Sequence, residues 1–224
     1  NSQFNGQLSI NDSNLQINRL NGLLTLSGKD IAFKLDADLQ HAHLKNIGLT
    51  SQDLTLKGHF NLDFTGNNID NFLGEATITN AELRNDNDLL SFRNLSLQSL
   101  IKDNNKTLRL QSSEAEGEIA GQFKILELPD AFKLFLNKYY PSYIQKPDYS
   151  VSQQDFSFSL KTHNIDEYLK LFSNHVSGLN DVSLNGRLNL YENKLYLDGF
   201  IPQFGYDDKK FNNISISGKG SADT

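Results

Sequence analysis

The residues best suited to chemistry are few, and their spacing does not organise them for it. Asp36 and Asp38 stand two positions apart and precede His41 and His43. Carboxylates and imidazoles are zinc-holding groups, but zinc needs three or four of them converging on one point. The run contains neither a helical His-Glu-x-x-His unit nor a recognised metal-loop spacing, so it reads as charge on the solvated side of a strand. Gly218-Lys-Gly-Ser221 ends like a phosphate-cradling loop. That loop needs Gly where Asn213 stands, Ser or Thr where Gly220 stands, and a helix afterwards, and none of these is met. Ser215 lacks the flanking Gly pair of a hydrolase nucleophile turn, and the five His offer no triad spacing. Zero Cys removes thiol catalysis, disulfides, zinc thiolates and iron–sulfur clusters together. The tripeptides at Asn11, Asn94, Asn105 and Asn213 match the glycosylation acceptor at the frequency chance allows in an Asn- and Ser-rich chain. The expectation is a chain that is not an enzyme and holds no metal and no cofactor.

The elements around these residues carry a much stronger pattern. Leu54, Leu56, Gly58, Phe60, Leu62 and Phe64 alternate with Thr55, Lys57, His59, Asn61 and Asp63. A period of two puts all the apolar members on one face of a strand. The period returns at Ile31, Phe33, Leu35, Ala37 and Leu39, at Ala115, Gly117, Ile119, Gly121, Phe123 and Ile125, and at Val182, Leu184, Gly186, Leu188 and Leu190. Residues 1–126 read as strands at 4–10, 15–20, 23–26, 31–39, 54–64, 75–79, 92–97, 107–111 and 115–125. Asn21-Gly22 signals a tight turn, and residues 102–106 a polar hairpin tip. An antiparallel meander follows. A degenerate unit ending in Gly recurs at 24–28, 54–58, 182–186 and 214–218, placing its Gly on the apolar side without a fixed repeat period.

Two amphipathic helices interrupt the strands. The first covers 128–140, with Pro129 in its first turn, Asp130 at the positive end of the dipole and Pro141 as the stop. Leu128, Ala131, Phe132, Phe135, Leu136 and Tyr139 form its apolar stripe. The second covers 164–174, with Asn164 as N-cap and Ile165, Tyr168, Leu169 and Phe172 turned inward. A strand at 149–161 lies between them, and strands resume over 182–220: 182–190, a turn at Glu192-Asn193, a return through 195–199, and final strands at 204–206 and 213–218.

Composition narrows the partners. The 224 residues carry a net charge of -6 with Lys and Arg scattered, which leaves no basic footprint for nucleic acid. A hydrophobic fraction of 38% is low, yet 10% aromatic residues argue for a folded chain with much polar surface. No stretch approaches the roughly 18 apolar residues of a membrane helix. The chain has no Met and opens without a signal peptide, so it reads as one segment of a longer protein, with any anchor outside it.

The stretches 49–58, 59–66 and 67–74, then Ile119 through the Leu-Pro-Asp helix to Tyr-Tyr-Pro141, and Asn164-Ile-Asp-Glu-Tyr-Leu-Lys-Leu-Phe172, resemble the periplasmic region of the AsmA/TamB group, the translocation and assembly module proteins. The resemblance spans most of the chain. It implies an inner-membrane-anchored protein of Gram-negative envelopes that crosses the periplasm as a curved β groove. It also implies a link to phospholipid movement toward the outer membrane and to outer-membrane protein assembly, with an outer-membrane barrel protein as a possible partner.

The fold expected is therefore mainly β over 1–224: an elongated, curved, mostly antiparallel sheet with an apolar concave face and two short helices. Candidate groove residues for phospholipid acyl chains are Ile31, Phe33, Leu35, Leu54, Leu56, Phe60, Leu62, Phe64, Ile119, Phe123, Phe156, Phe158, Leu184 and Leu188. Two other readings stand beside this one. The same residues could form the interior of an ordinary sandwich or the seat of the helices; alternatively, open sheet edges could receive strands of an outer-membrane protein.

Overall fold

The computed structural model describes residues 2–27, 30–68, 70–85, 89–103, 105–172 and 175–221, with side chains at 27, 30 and 170–172 outside the description. The strands are β1 Ser2–Asn11, β2 Leu15–Ser27, β3 Asp30–His43, β4 Thr55–Gly66, β5 Leu73–Arg84, β6 Leu89–Lys102, β7 Asn105–Ser112, β8 Ala115–Gln122, β9 Asp155–Thr162, β10 Val176–Ser177, β11 Ser183–Asn189, β12 Lys194–Tyr206 and β13 Lys209–Ser221. Helix α1 spans Leu128–Tyr139 and α2 Asp166–Phe172. All thirteen strands join one open, curved sheet with antiparallel pairing. From β1 to β9 each strand pairs with the next; β11, β12 and β13 continue the meander, and β10 pairs with the far end of β12.

Register turns the local alternation into a continuous surface. Directly paired residues share a face, so neighbours can be followed from strand to strand. One such row reads Gly6, Gly22, Leu35, Leu62, Ala76, Leu97, Leu110, Gly117, Leu160, Leu184, Gly199, Ile216. It takes one residue from every strand except β10 and contains no polar side chain. The row beside it reads Phe4, Leu24, Phe33, Phe64, Gly74, Ser99, Leu108, Ile119, Phe158, Gly186, Leu197, Gly218. Its one polar member, Ser99, is fully buried and donates to the Phe72 carbonyl at 2.8 Å, which removes the cost of placing a hydroxyl there.

The opposite, convex face is a ladder of charge and amide. Lys34 meets Asp63 at 2.5 Å, Arg109 meets Glu118 at 2.6 Å, and Arg187 meets Asp155 at 2.8 Å. These exposed pairs contribute little stability each, and their main effect is to keep the outer face wet. Asp36 is engaged by Arg19 at 3.2 Å and by His59 at 3.1 Å, while Asn18 donates to Asp38 at 3.1 Å.

Bulges align near one end of the strands. Pairing shifts between Ile17 and Arg19, between Leu39 and Ala42, and between Lys57 and His59, where Asn80 of β5 adopts φ 50°. Each extra residue switches the phase of alternation, which returns Ala42, Ala81 and Leu83 to the side of Leu56 and bends the sheet.

Several boundaries differ from the sequence reading. Asn21-Gly22 does not turn: β2 runs straight through, with Asn21 opposite Gln7 and Gly22 opposite Gly6, because both neighbouring strands are long enough to pair across it. Residues 194–206 likewise form one strand rather than two. The 115–125 strand ends at Gln122, and Ile125 opens a 3-10 turn into α1. The strand expected over 149–161 begins only at Asp155. The amides of Ile165 and Asp166 donate to Asn180 Oδ1, at 2.7 and 3.1 Å, so the cap of α2 comes from a distant loop instead of Asn164. Gly28, Ser173, Asn174 and the Phe172 side chain lie outside the described residues.

Close strand packing sets a testable limit. A Cβ on Gly74, where φ is 139°, would stand 1.9 Å from the Asp63 carbonyl oxygen, whereas one on Gly6 meets nothing within 4 Å. Gly74→Ala is expected to lose about 3 kcal/mol in urea unfolding, and Gly6→Ala to stay within about 0.5 kcal/mol of the parent.

Candidate functional site

Helix α1 divides the apolar face into a covered and an open part. Its stripe lies over the row Gly121, Phe156, Leu188, Leu195, Gly220 at one end of the strands. Phe132 packs edge-on against Phe156 and Phe158, with centroids 5.9 and 5.5 Å apart. Gly220 permits the helix to approach: a Cβ there would stand 3.1 Å from the Tyr139 hydroxyl and 3.4 Å from the Phe135 ring. The helix is held by Glu127, which accepts from the Ser152 amide at 2.7 Å and its hydroxyl at 3.2 Å, and by Lys138, which bonds Asn193 in the β11–β12 turn. Ala131 and Phe135 of the helix form a buried cluster with Phe123, Phe156 and Leu188 beneath it.

Helix α2 lies toward the other end of the strands. The Tyr168 ring packs tilted against Phe92, with centroids 4.9 Å apart, and its hydroxyl donates to the Ser91 carbonyl at 3.0 Å. Burial first, and the Glu114 carboxylate second, push its hydroxyl pKa up to about 12.

The face that the helices leave uncovered contains two apolar hollows. The larger, about 700 Å³, is floored by β6 to β9, β11 and β12 and walled by Leu128, Pro129 and Phe132 of α1. The smaller, about 330 Å³, lies on β1 to β3 among Phe4, Leu8, Leu20, Leu24, Phe33 and Leu35. Between them β4 presents Phe60, Leu62 and Phe64 along one face, with the Phe72 ring edge-on to Phe64 at 4.4 Å.

These positions sort the fourteen candidates. Phe33, Leu35, Leu56, Phe60, Leu62, Ile119, Phe158 and Leu184 are half-buried, and Ile31 is exposed. Leu54, Phe64, Phe123, Phe156 and Leu188 are buried. For Phe123, Phe156 and Leu188 the reason is α1, which covers them as ordinary core. Phe64 is enclosed by Phe33 and Phe72, and Leu54 precedes β4, its carbonyl accepting from the Leu44 amide at 2.8 Å. Leu54, Phe64, Phe123 and Leu188 are therefore structural, while Phe156, part of the core beneath α1, also borders the larger hollow. Leu97, Leu108, Leu110, Leu160 and Leu197 line the larger hollow and were not singled out from sequence, although Leu108-Arg-Leu110 already alternates. Their importance lies in the neighbours that register gives them.

A polar hollow of about 540 Å³ gathers Arg187, Lys194, Tyr196 and Lys219. Its cations are engaged: Arg187 with Asp155, Lys194 with Glu192 at 2.9 Å, and Lys219 over the Tyr196 ring at 5.8 Å. The apolar hollows, whose surface nothing in the described chain covers, are the stronger site.

A buried cation stands on the apolar face. Lys106, only 6% exposed, sits in the row of Gly121 and Phe156, donates to the Asp70 carbonyl at 2.7 Å and faces the rings of Phe72 and Phe123 at 5.6 and 5.5 Å. Asp70 in turn accepts from the Ile125 amide at 2.8 Å, so the pair ties the β4–β5 loop to the entry of α1. Desolvation lowers the Lys106 pKa below 10.5, against the opposing pull of Asp70. The folded state then gives up its proton at lower pH than the unfolded chain, so stability rises with pH between the folded value and 10.5. Urea titrations on the alkaline side of neutrality, up to 10.5, should show this rise in the parent and a flatter profile in Lys106→Met.

Compared with family models, curated proteins and solved structures, the chain matches none.

Proposed function

We propose that the chain is a lipid-guiding segment: acyl chains of phospholipids lie along its apolar face, and no covalent reaction takes place. The observation that carries this reading is the pair of apolar rows crossing the sheet where the helices leave it uncovered. Stripping a two-chain lipid of about 30 methylenes into water costs on the order of 20 kcal/mol, so a conducting surface must be apolar without interruption. The rows meet that demand over about 50 Å, at ~4.8 Å per strand. Burial against Leu and Phe is non-directional, so it holds a chain without fixing its position. A polypeptide laid flat on the same side chains would leave its N–H and C=O groups without partners, at about 1–3 kcal/mol each. The setting is the envelope of a Gram-negative cell, between inner and outer membrane, as the resemblance to the AsmA/TamB group implies.

A second reading has its own support at the edge. Among the described residues β1 pairs only with β2, and its ten residues contain neither charge nor Pro, the usual protections of an edge strand. The other edge, β13, carries Lys209, Lys210 and Lys219. Strand addition at β1 would serve an assembly scaffold for outer-membrane proteins.

A photo-crosslinker in place of Leu62 should capture phospholipid; capture of polypeptide instead would favour the scaffold. Leu62→Arg should leave the thermal midpoint within a few degrees and cut lipid capture at least tenfold, because the guanidinium can reach water from a half-buried site. Leu188→Arg should unfold the chain, because Leu188 is fully buried under α1. Normal lipid capture by a folded Leu62→Arg would overturn the proposal.

A further inference from the structure

Resting on the lipid reading, we infer that the open face holds two discrete acyl seats of unequal size, separated by a ridge, instead of one uniform slide. The larger seat runs from Leu97 on β6 to Leu197 on β12. Those six strands span about 24 Å, more than the ~15 Å that one acyl chain occupies in half a bilayer core. The smaller seat covers only β1 to β3, about 10 Å, with less than half the volume.

The ridge is β4. It is the one strand between the hollows that sets three large apolar side chains in succession on this face, Phe60, Leu62 and Phe64. Phe64 is locked by Phe33 on one side and Phe72 on the other, at 5.6 and 4.4 Å, so the ridge cannot flatten by simple rotation of that ring. On its far side β5 offers only Gly74 and Ala76 in the same two rows, so the lining drops again before β6. Both seats suit an acyl chain, which lacks polar groups: the side chains that bound them on this face are apolar, Lys106 bounds neither, and a chain in the smaller seat lies along β1 to β3, whose strands are 10 to 14 residues long, instead of across them.

The test is the stoichiometry of palmitic acid on the 224-residue chain, read by native mass spectrometry. Two molecules are expected at saturation. Leu24→Arg, in the small seat, and Leu160→Arg, in the large one, should each retain one, and the double variant none; both positions are more than one-third exposed, so the variants should fold. Leu8→Arg, half exposed, replaces Leu24→Arg should that variant melt early. Binding of a single molecule, a graded series without a plateau at two, or loss of both molecules in either single variant overturns the two-seat inference while leaving the lipid reading intact. Absence of any binding overturns both.

Discussion

Inter-strand register is the constraint on which the apolar face depends, since side chains alternate at every step and a slip of one residue would send a strand's Leu and Phe to the wet side. Here the ladder carries Leu35, Leu62, Ala76, Leu97 and Leu110 into line and continues through Leu160 and Leu184. The convex ion pairs reinforce the same choice, because Lys34 reaches Asp63, and Arg109 reaches Glu118, only in this register. Where strands bend, the extra residues near Asn80 and between Leu39 and Ala42 restore the apolar phase.

A one-sided sheet gains stability only where something covers it, and this one is covered in part. Helix α1 buries Phe156 and Leu188, at about 1.5–3 kcal/mol for each side chain. Two polar groups drawn beside that cover are paired, Ser99 with a carbonyl and Lys106 with Asp70, whereas the Nε2 of the buried Gln154 has no partner among the described residues; at the opposite end of β9, Thr162 donates to the Leu179 carbonyl at 2.5 Å. Stability is thus concentrated at the helix-covered ends, and the middle of the face is left available to a ligand. That division explains why candidates identical in type differ in role: both border the larger hollow, but Phe158 is half-buried and opens onto it, and Phe156, two residues earlier, is core under α1.

Much of this was legible along the chain, and the failures have identifiable causes. The alternation at 31–39, 54–64 and 182–190, and the helix opened by Leu-Pro-Asp, reflect local periodicity and capping, which need only neighbours in sequence. Asn21-Gly22 misled because its turn preference is small beside the backbone bonds gained when β1 and β3 both extend past it. Asn164 misled because Asn180, fifteen residues beyond Ile165, reaches the same amides.

The sequence by itself determined that strands would be one-sided, that two short amphipathic helices would interrupt them, and that no familiar catalytic or metal spacing was present, because each of these is written in residue type at short range. Only the tertiary structure decided which apolar residues meet water and which meet α1. That outcome depends on where a helix inserted between β8 and β9 folds back, and on which strands stand beside each other. Both are set by contacts between residues far apart in the chain, and alternation alone carries no information about them.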